Sequence, residues 1–369
     1  MENILDTLLA CGCEIDKDFY LKELEKYQNK EELKKEIDSY IHNFIKTNLA
    51  EIKDVSVALV FENDTYYYNN KKNTLYDLAS ITKLFTLKAI YDLEKEKKID
   101  FTKPISTYLK EFEGLKQYTI MDTLKMTGQI ETDGKLADTK DYDAFMEVLK
   151  TVQVKEGKQE VAMYTDIGFI LLGKLIEKIT GENLKSYFRK NIFHKQKMEN
   201  TGFMPSHDFI LKGNGNSLYL PHDFKTRVAQ GMTGAAGIFS NVEELSFFAR
   251  NLWKEEVFSK DFIQKIYDYT FVDTSNRNRS LAGLYKKTKG YRSYVPKEFS
   301  NFSLGHQGFT GSVFVVDLQF HIAQILLFDA IPEGSKVKDP NFFSSFYTFR
   351  DQITTYSILL YLLCQKESL

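Results

Sequence analysis

Apolar positions along the chain change between helical and strand-like spacing, and these changes predict where the elements lie. A stretch rich in Lys and Glu at residues 15–54 has apolar residues four positions apart, which predicts an amphipathic helix. Those apolar residues are Leu33, Ile37, Ile41 and Ile45. The β-rich run at 55–61 is followed by turn residues and then by Tyr66-Tyr67-Tyr68, so this stretch predicts a β-hairpin.

The rest of the chain alternates between predicted helices and later strands. Helical spacing occurs at about 79–95, 166–180, 241–253, 259–268 and 341–364. Gly181 supplies a stop signal for the second of these helices, and the Gly/Asn-rich stretch 212–217 predicts a loop. Strand-like runs occur at 302–304, 312–318 and 322–328.

Strands near both ends of the chain, with helices between them, predict an α/β (α+β) fold. We expect one sheet built from N- and C-terminal segments and an inserted, mostly helical lobe. The expected units are an N-terminal helical extension at 1–50, a sheet lobe at 51–95 and 236–369, and a helical lobe at 96–235. We place the active site between the two lobes.

Composition narrows the classes of function. The chain has 369 residues, of which 43% are hydrophobic and 27% charged, so it can bury a core and global disorder is excluded. Its net charge of −2 offers no broad basic field for nucleic acid or an anionic membrane. Three cysteines, Cys11, Cys13 and Cys364, are too few and too scattered for a disulfide scaffold or a zinc site. We expect no metal and no cofactor.

The pattern of apolar runs bears on location. The N-terminus has acids at Glu2 and Asp6 and no basic segment, so it is a poor secretory signal. The longest apolar run, at 353–364, is shorter than a membrane-spanning helix. We therefore expect a cytoplasmic protein without a membrane span.

Ser80-Ile81-Thr82-Lys83 is the first candidate for chemistry. A serine hydroxyl needs a base before it acts as a nucleophile, and positions i and i+3 share one face of a helix, so Lys83 can reach Ser80. A serine that opens a helix also offers its own N–H to an oxyanion. For Lys83 to accept a proton its amine must be neutral, so we expect its pKa to be lowered.

The S-x-x-K pattern alone is weak, because about two copies are expected by chance in a chain of this size. A second copy does occur, at Ser335–Lys338, but it lies in a turn-rich stretch rather than before an apolar helix. The alternative interpretation of Ser80 is an N-cap.

Two further stretches have residues suited to acyl transfer. Tyr164 introduces the apolar helix at 166–180, and a tyrosine beside a lysine can act as general base or acid; the alternative is a tyrosine at the rim of a pocket. In Gly305-His306-Gln307-Gly308-Phe309-Thr310-Gly311 the glycines allow the backbone close to a ligand, and the N–H of Phe309 can be a second oxyanion donor. The alternative for His306 is a hydrogen-bonded core histidine.

Together, and in this order, the Ser-x-x-Lys, Tyr-x-Asp and His-x-Gly motifs resemble the serine β-lactamase-related family. That family includes class C β-lactamases, low-molecular-weight penicillin-binding proteins, D-aminopeptidases and esterases. The resemblance covers about residues 50–330 and implies a β-lactamase/transpeptidase-like fold with a central antiparallel sheet flanked by helices. Supporting segments are Asp77–Lys83, Tyr164–Gly173, Pro221-His222-Asp223, Gly231–Ser240 and Gly308–Ser312.

The resemblance also implies roles for individual residues. Ser80 is the acyl-enzyme nucleophile, Lys83 activates it and Tyr164 shares the proton transfer. The backbone N–H groups of Ser80 and Phe309 form the oxyanion hole. Asp166 stands at a motif position from which it orients Lys83.

Departures from the family pattern affect the expected substrate. His306-Gln307-Gly308 replaces Lys-Thr-Gly, so a permanent positive charge for a substrate carboxylate is missing. Met126-Thr127-Gly128 stands where relatives often have His-Thr-Ser-Gly.

Three functions follow from these observations. We expect a serine hydrolase that acts through an acyl-enzyme on small esters or amides, of the esterase or D-amino-acid amidase or peptidase type. The alternatives are a β-lactamase or penicillin-binding DD-carboxypeptidase, and a non-enzymatic binding protein on the same fold.

Overall fold

The computed structural model describes residues 1–48, 52, 54–69, 74–158, 161–205, 210–212, 220–288, 294–329 and 340–367. The loop expected at 212–217 and the second S-x-x-K copy at 335–338 lie largely or wholly outside these ranges.

Helices account for much of the described chain. They are α1 (Glu2–Ala10), α2 (Lys17–Leu24), α3 (Lys30–Thr47), α4 (Thr82–Lys95), α5 (Ile120–Lys125), α6 (Tyr142–Lys150), α7 (Ile167–Thr180), α8 (Leu184–Phe188), α9 (Phe224–Val228), α10 (Val242–Trp253), α11 (Lys260–Asp268) and α12 (Pro340–Glu367). Asn29 caps α3 by accepting from the N–H groups of Glu31 and Glu32. Gly181 ends α7 in the left-handed conformation predicted for it, with φ of 70°.

Strands lie mainly near the two ends of the chain. They are β1 (Asp54–Val60), β2 (Thr65–Asn69), β3 (Thr74–Asp77), β4 (Ile130–Glu131), β5 (Gln153–Val154), β6 (Gly202–Phe203), β7 (Ile210–Lys212), β8 (Ile238–Ser240), β9 (Phe271–Val272), β10 (Asn278–Arg279), β11 (Tyr285–Lys286), β12 (Ser303–Gln307), β13 (Val313–Asp317) and β14 (Ile322–Asp329). The hairpin predicted at 55–68 is the β1–β2 pair, and the three predicted late strands are β12, β13 and β14.

The large sheet joins the two ends of the chain. Its eight strands are antiparallel in the order β2-β1-β14-β13-β12-β11-β10-β9. β1 pairs with β14 over its whole length, with Val57 opposite Leu326. The predicted antiparallel sheet built from N- and C-terminal segments is thereby confirmed.

Both faces of this sheet are covered, which explains why every residue of β1 is buried rather than every second one. Val55, Val57 and Leu59 point to one core, which also contains buried side chains of α1–α3 and α12. Ala58 and Val60 point to the other core, shared with α4, α7 and α10. The N-terminal helices therefore cover the sheet face opposite α4.

A second, four-stranded sheet has the order β6-β8-β3-β7. Sequence spacing did not predict this sheet, because its strands have two to four residues and come from distant parts of the chain. It brings β3, which leads into the Ser80 segment, between β7 and β8, and β6 pairs with the other edge of β8. The division into lobes at residues 50, 95 and 235 stays a prediction.

Within the ranges that the structure describes, no helix combines the length and apolar character needed to cross a membrane. The expected cytoplasmic location stays a prediction.

Candidate active site

Ser80 lies on a tight turn between a strand and a helix. β3 ends at Asp77, a 3₁₀ turn runs over Ala79–Ile81, and α4 begins at Thr82. The residue before Ser80, Ala79, has φ of 46°, a backbone conformation that residues other than glycine rarely adopt. Ser80 is half-buried. The serine therefore lies just before α4 rather than in its first turn, and a strained residue directs it.

The side chain of Lys83 is fully buried beside Ser80. Its Nζ lies 3.3 Å from Ser80 Oγ and 2.7 Å from Asp166 Oδ1, and it donates to the carbonyl of Ala235 at 3.2 Å. Burial by itself lowers the pKa of a lysine, but the Asp166 carboxylate and the Tyr164 hydroxyl outweigh burial, and the pKa of Lys83 is raised. The expected lowered pKa is wrong: Lys83 is an ammonium ion in the resting site.

Asp166 connects two lysines. It lies at the start of α7 and does not cap that helix with its side chain. Its Oδ2 lies 3.1 Å from Lys225 Nζ, which is also 2.7 Å from Asp223 Oδ1. Burial would raise the pKa of Asp166, but Lys83 and Lys225 together hold it below its ordinary value. Four charges of alternating sign thus lie side by side.

The ring of Tyr164 lies close to two cations. Lys83 Nζ is 5.0 Å from the ring centroid, and Arg279 Cζ is 4.5 Å from it. Gly283 packs on the ring edge, where a Cβ would come within 2.6 Å of Tyr164 Cε2. Met126, from the segment that departs from the family pattern, accepts a backbone hydrogen bond from the residue before Tyr164 at 2.8 Å. The phenol is therefore fixed beside Lys83 by close packing.

His306 is buried on β12 behind Tyr164, with the two ring centroids 6.2 Å apart. Its Nδ1 lies 3.0 Å from the carbonyl oxygen of Gln307, so that nitrogen carries the proton that it donates. Burial, helped by the cations of Lys83 and Arg279, lowers the pKa of His306 to about 3. The imidazole is thus neutral at physiological pH.

Gly308 and Phe309 form the turn between β12 and β13. A Cβ on Gly308 would lie 2.6 Å from the carbonyl oxygen of Leu78, so only glycine lets this turn approach the Ser80 segment so closely. The Phe309 ring is 46% exposed and stacks on the ring of His222 at 4.9 Å. The structure therefore brings together all the residues that the sequence predicted for the site.

The family of this chain follows from comparisons with known proteins. The family described as Beta-lactamase matches residues 41–339, which is more than half of the chain. The chain belongs to the Beta-lactamase family. The predicted resemblance and the β-lactamase/transpeptidase-like fold are confirmed, and so is the prediction of a serine hydrolase of this family.

Three relatives illustrate the range of similarity. A putative D-alanyl-D-alanine carboxypeptidase of Escherichia coli O157:H7 is 25% identical in an alignment of length 317 that covers 74% of this chain and 73% of that protein. A teichoic acid D-alanine hydrolase of Staphylococcus aureus (strain NCTC 8325 / PS 47) is 25% identical in an alignment of length 310. The alignment covers 80% of this chain and 73% of that protein. The structure of D-amino acid amidase from Ochrobactrum anthropi SV3, complexed with L-phenylalanine amide, has a TM-score of 0.68 at 16% identity and covers 91% of this chain and 99% of that one. This last likeness concerns the fold alone.

Two residues of this site, Lys225 and Arg279, were not predicted from the sequence. Lys225 lies two residues after the Pro221-His222-Asp223 segment, and its charge was the available signal. Arg279 had no local signal, because its contacts with Tyr164 and with Asp273 (Nε to Oδ2, 2.7 Å) arise from the packing of β10 at the end of the sheet.

Proposed function

We propose that this chain hydrolyses small esters or amides of D-amino acids through an acyl-enzyme on Ser80. One observation carries the proposal: the buried Lys83 Nζ lies 3.3 Å from Ser80 Oγ and 5.0 Å from the Tyr164 ring centroid. An amine that lies beside both an alcohol and a phenol is what nucleophilic acyl transfer needs.

In the proposed acylation, Ser80 Oγ bonds to the substrate carbonyl carbon and its proton passes to the neutral amine of Lys83. The bond to the leaving alcohol or amine then breaks, and the leaving atom takes a proton from Lys83 through the Tyr164 hydroxyl. The N–H groups of Ser80 and Phe309 stabilise the oxyanion. Water attacks the acyl group in the second half of the cycle and releases Ser80.

The raised pKa of Lys83 has a consequence for this cycle. Because Asp166 favours the ammonium, the neutral amine is a minor form near neutral pH, and its population grows as the pH rises. We therefore expect kcat/KM to increase with pH across the neutral range and beyond.

The proposed substrate class rests on the charges near the cleft. A neutral, buried His306 stands where the family pattern has lysine, and it offers no cation for a substrate carboxylate. Relatives are named for D-alanine hydrolysis and for a D-amino acid amidase, and both names concern D-aminoacyl groups. D-alanyl esters and D-amino acid amides without a free carboxylate fit both observations.

A penicillin-recognising enzyme is the second candidate, and the family assignment and the relative named as a putative D-alanyl-D-alanine carboxypeptidase favour it. It predicts covalent labelling by a fluorescent penicillin. The hydrolase of D-aminoacyl esters or amides is expected to turn over its ester without such labelling.

The decisive experiment is labelling with a fluorophosphonate probe followed by mass spectrometry of the labelled peptide. We expect the label on Ser80 and its loss in both Ser80→Ala and Lys83→Met. Lys88→Met is the matched control, because Lys88 is a second buried lysine on α4 whose Nζ pairs with Asp92.

We expect Lys83→Met to lower ester turnover by about 10²- to 10⁴-fold, the range found for general acid–base groups. Lys88→Met is expected to stay within about threefold of wild type. Equal turnover in wild type and Ser80→Ala would refute the proposed function and favour the non-enzymatic alternative.

A further inference from the structure

Asp77 is a buried carboxylate that takes no part in the proposed proton transfers. It is the last residue of β3, lies three positions before Ser80, and is 1% exposed. Its Oδ1 accepts a hydrogen bond from the backbone N–H of Ala79 at 2.8 Å, and its Oδ2 accepts from the N–H of His222 at 2.6 Å. One carboxylate therefore holds two chain segments together.

The bond to Ala79 supports a strained backbone. Ala79 has φ of 46°, in the left-handed region that is unfavourable for residues with a Cβ. An aspartate that accepts from the N–H two residues later forms a local turn that stabilises this region. Because Ser80 follows directly, this turn sets the direction of the Ser80 N–H.

The main chain of Asp77 holds the opposite side of the proposed oxyanion hole. Its carbonyl oxygen accepts a hydrogen bond from Thr310 Oγ1 at 2.9 Å, and Thr310 follows Phe309. Next along the chain, the carbonyl of Leu78 is the atom that a Cβ on Gly308 would strike. The turn that contains Phe309 thus packs against the backbone of Asp77 and Leu78.

The hydrogen bond between Asp77 and the N–H of His222 also supports the turn that contains Phe309. The imidazole of His222 stacks on the Phe309 ring, with centroids 4.9 Å apart and planes 23° apart. His222 is itself buried, so its position is fixed by the protein rather than by solvent. Asp77 therefore contacts Ala79, the residue before the proposed oxyanion donor Ser80. It also contacts His222 and Thr310, which support the turn that contains the second proposed donor, Phe309.

We propose that Asp77 is a positioning residue: its ionised carboxylate and its main-chain carbonyl together hold the N–H groups of Ser80 and Phe309 in one oxyanion hole. This inference rests on the proposed function, since it assigns the geometry of the same site. A carboxylate that only stabilised the fold would have no effect on the transition state beyond its effect on stability.

The surroundings of Asp77 make its charge sensitive to pH. Burial raises its pKa to about 6, against the two N–H bonds that lower it; among nearby charges, Asp223 raises the pKa and Arg227 lowers it. Below about pH 6 one carboxyl oxygen gains a proton and becomes a donor that faces an N–H group. We therefore expect activity to fall more steeply below pH 6 than the loss of neutral Lys83 alone would cause.

The test compares Asp77→Asn, which keeps the shape but removes one acceptor, with wild type in ester turnover from pH 4.5 to 9. We expect kcat to fall by about 10- to 100-fold with KM changed less than about threefold, because a misplaced donor weakens the transition state more than the ground state. The inflection near pH 6 should disappear. Affinity for a boronic acid, which forms a tetrahedral adduct on the serine, should fall by the same factor as kcat/KM.

A second pair of variants covers the case in which Asp77→Asn does not fold. Thr310→Val removes the hydroxyl that donates to the Asp77 carbonyl and should lower kcat and boronate affinity together, while Thr310→Ser should restore both. The matched control is Thr354→Val, another buried threonine with a hydroxyl hydrogen bond, on α12 and away from the site.

Two results separate the possible failures. Turnover that persists in Ser80→Ala would overturn the proposed function itself. An inactive Ser80→Ala together with unchanged kcat and boronate affinity in folded Asp77→Asn, or in Thr310→Val, would overturn only the positioning role of Asp77.

Discussion

The candidate site has two walls that differ in what they offer to the proposed acyl transfer. On one wall Lys83, Asp166, Lys225 and Asp223 form a row of alternating charges, with Nζ to Oδ distances of 2.7–3.1 Å. The other wall consists of the neutral His306 and the turn at 308–311, whose contribution is close packing and backbone N–H groups. The first wall should therefore respond to pH and charge, and the second to the position of its backbone.

This difference bears on the proposed role of Lys83 as a base that is charged at rest. Lys83 shares Asp166 with Lys225, so the carboxylate is not devoted to Lys83 alone. On the other wall a cation in place of His306 would lie beside Lys83 and Arg279, which already disfavour a charged imidazole. The cations of the site, Lys83, Lys225 and Arg279, each lie beside a carboxylate that balances their charge.

After the loss of Ser80 or Lys83 themselves, the largest effect is expected from a backbone change on the neutral wall. In Gly308→Ala the new Cβ would lie 2.6 Å from the carbonyl oxygen of Leu78, so the turn must move away from Ser80. We expect kcat to fall by about 10²–10³-fold, the range for a lost oxyanion donor. Steady-state ester kinetics measure this fall.

Gly202→Ala is the control for Gly308→Ala, because a Cβ on Gly202 meets no atom within 4 Å. It should stay near wild-type activity. A Gly308→Ala enzyme with wild-type kcat would mean that the close approach of this turn is not needed for catalysis.

A smaller effect is expected from a charge change on the other wall. In Lys225→Gln the Asp166 carboxylate loses one of its two cations, so its attraction for the Lys83 ammonium grows and the neutral amine becomes rarer. We expect kcat/KM at pH 7 to fall by several-fold to about tenfold, with the rising limb of the pH–rate profile moved to higher pH. The variant and wild type should converge at high pH.

Lys174→Gln is the matched control, since Lys174 is a half-buried lysine on α7 that pairs with Glu177 instead. Its pH–rate profile should overlay that of wild type. A Lys225→Gln profile lowered equally at every pH would indicate a loss of binding or of structure, not a change in the protonation of Lys83.

Much of the fold and site was predictable because the signals are local or follow a family pattern. Ser80 and Lys83 share one turn of chain, and long apolar elements such as α7 and β14 show their period directly. Strands of two residues, such as β9 and β10, contain too few positions for alternation to appear. Their absence from the predictions also hid Arg279, which lies on β10.

The wrong prediction for Lys83 has a different origin. The expectation started from what the reaction needs, a neutral amine, whereas the resting charge depends on the 2.7 Å contact with Asp166. The family resemblance could place Asp166 near Lys83 but could not weigh a contact distance against burial. The links from Asp77 to His222 and Thr310 were hidden for a similar reason, because they join residues 145 and 233 positions apart.

The smallest effect on activity is expected from His306→Gln, which replaces one neutral, buried hydrogen-bonding side chain with another. Since the pKa of His306 is lowered to about 3, the imidazole does not titrate in the range where the enzyme works, and kcat/KM should stay within about tenfold with an unchanged pH profile. Stability should respond differently. Between about pH 6.5, the ordinary value, and about pH 3 the unfolded chain binds a proton that the folded protein refuses, so wild type loses stability as the pH falls through this window.

His306→Gln should therefore show a shallower decline of the unfolding free energy between pH 6.5 and 4 than wild type does, measured by urea denaturation at several pH values. Replacing an exposed histidine such as His194, which is 41% exposed, should leave the wild-type slope unchanged. A His306→Gln enzyme whose activity profile moves between pH 5 and 8 would mean that His306 does exchange a proton during catalysis. The neutral wall would then share the proton transfer with Lys83, and the contrast between the two walls would fail.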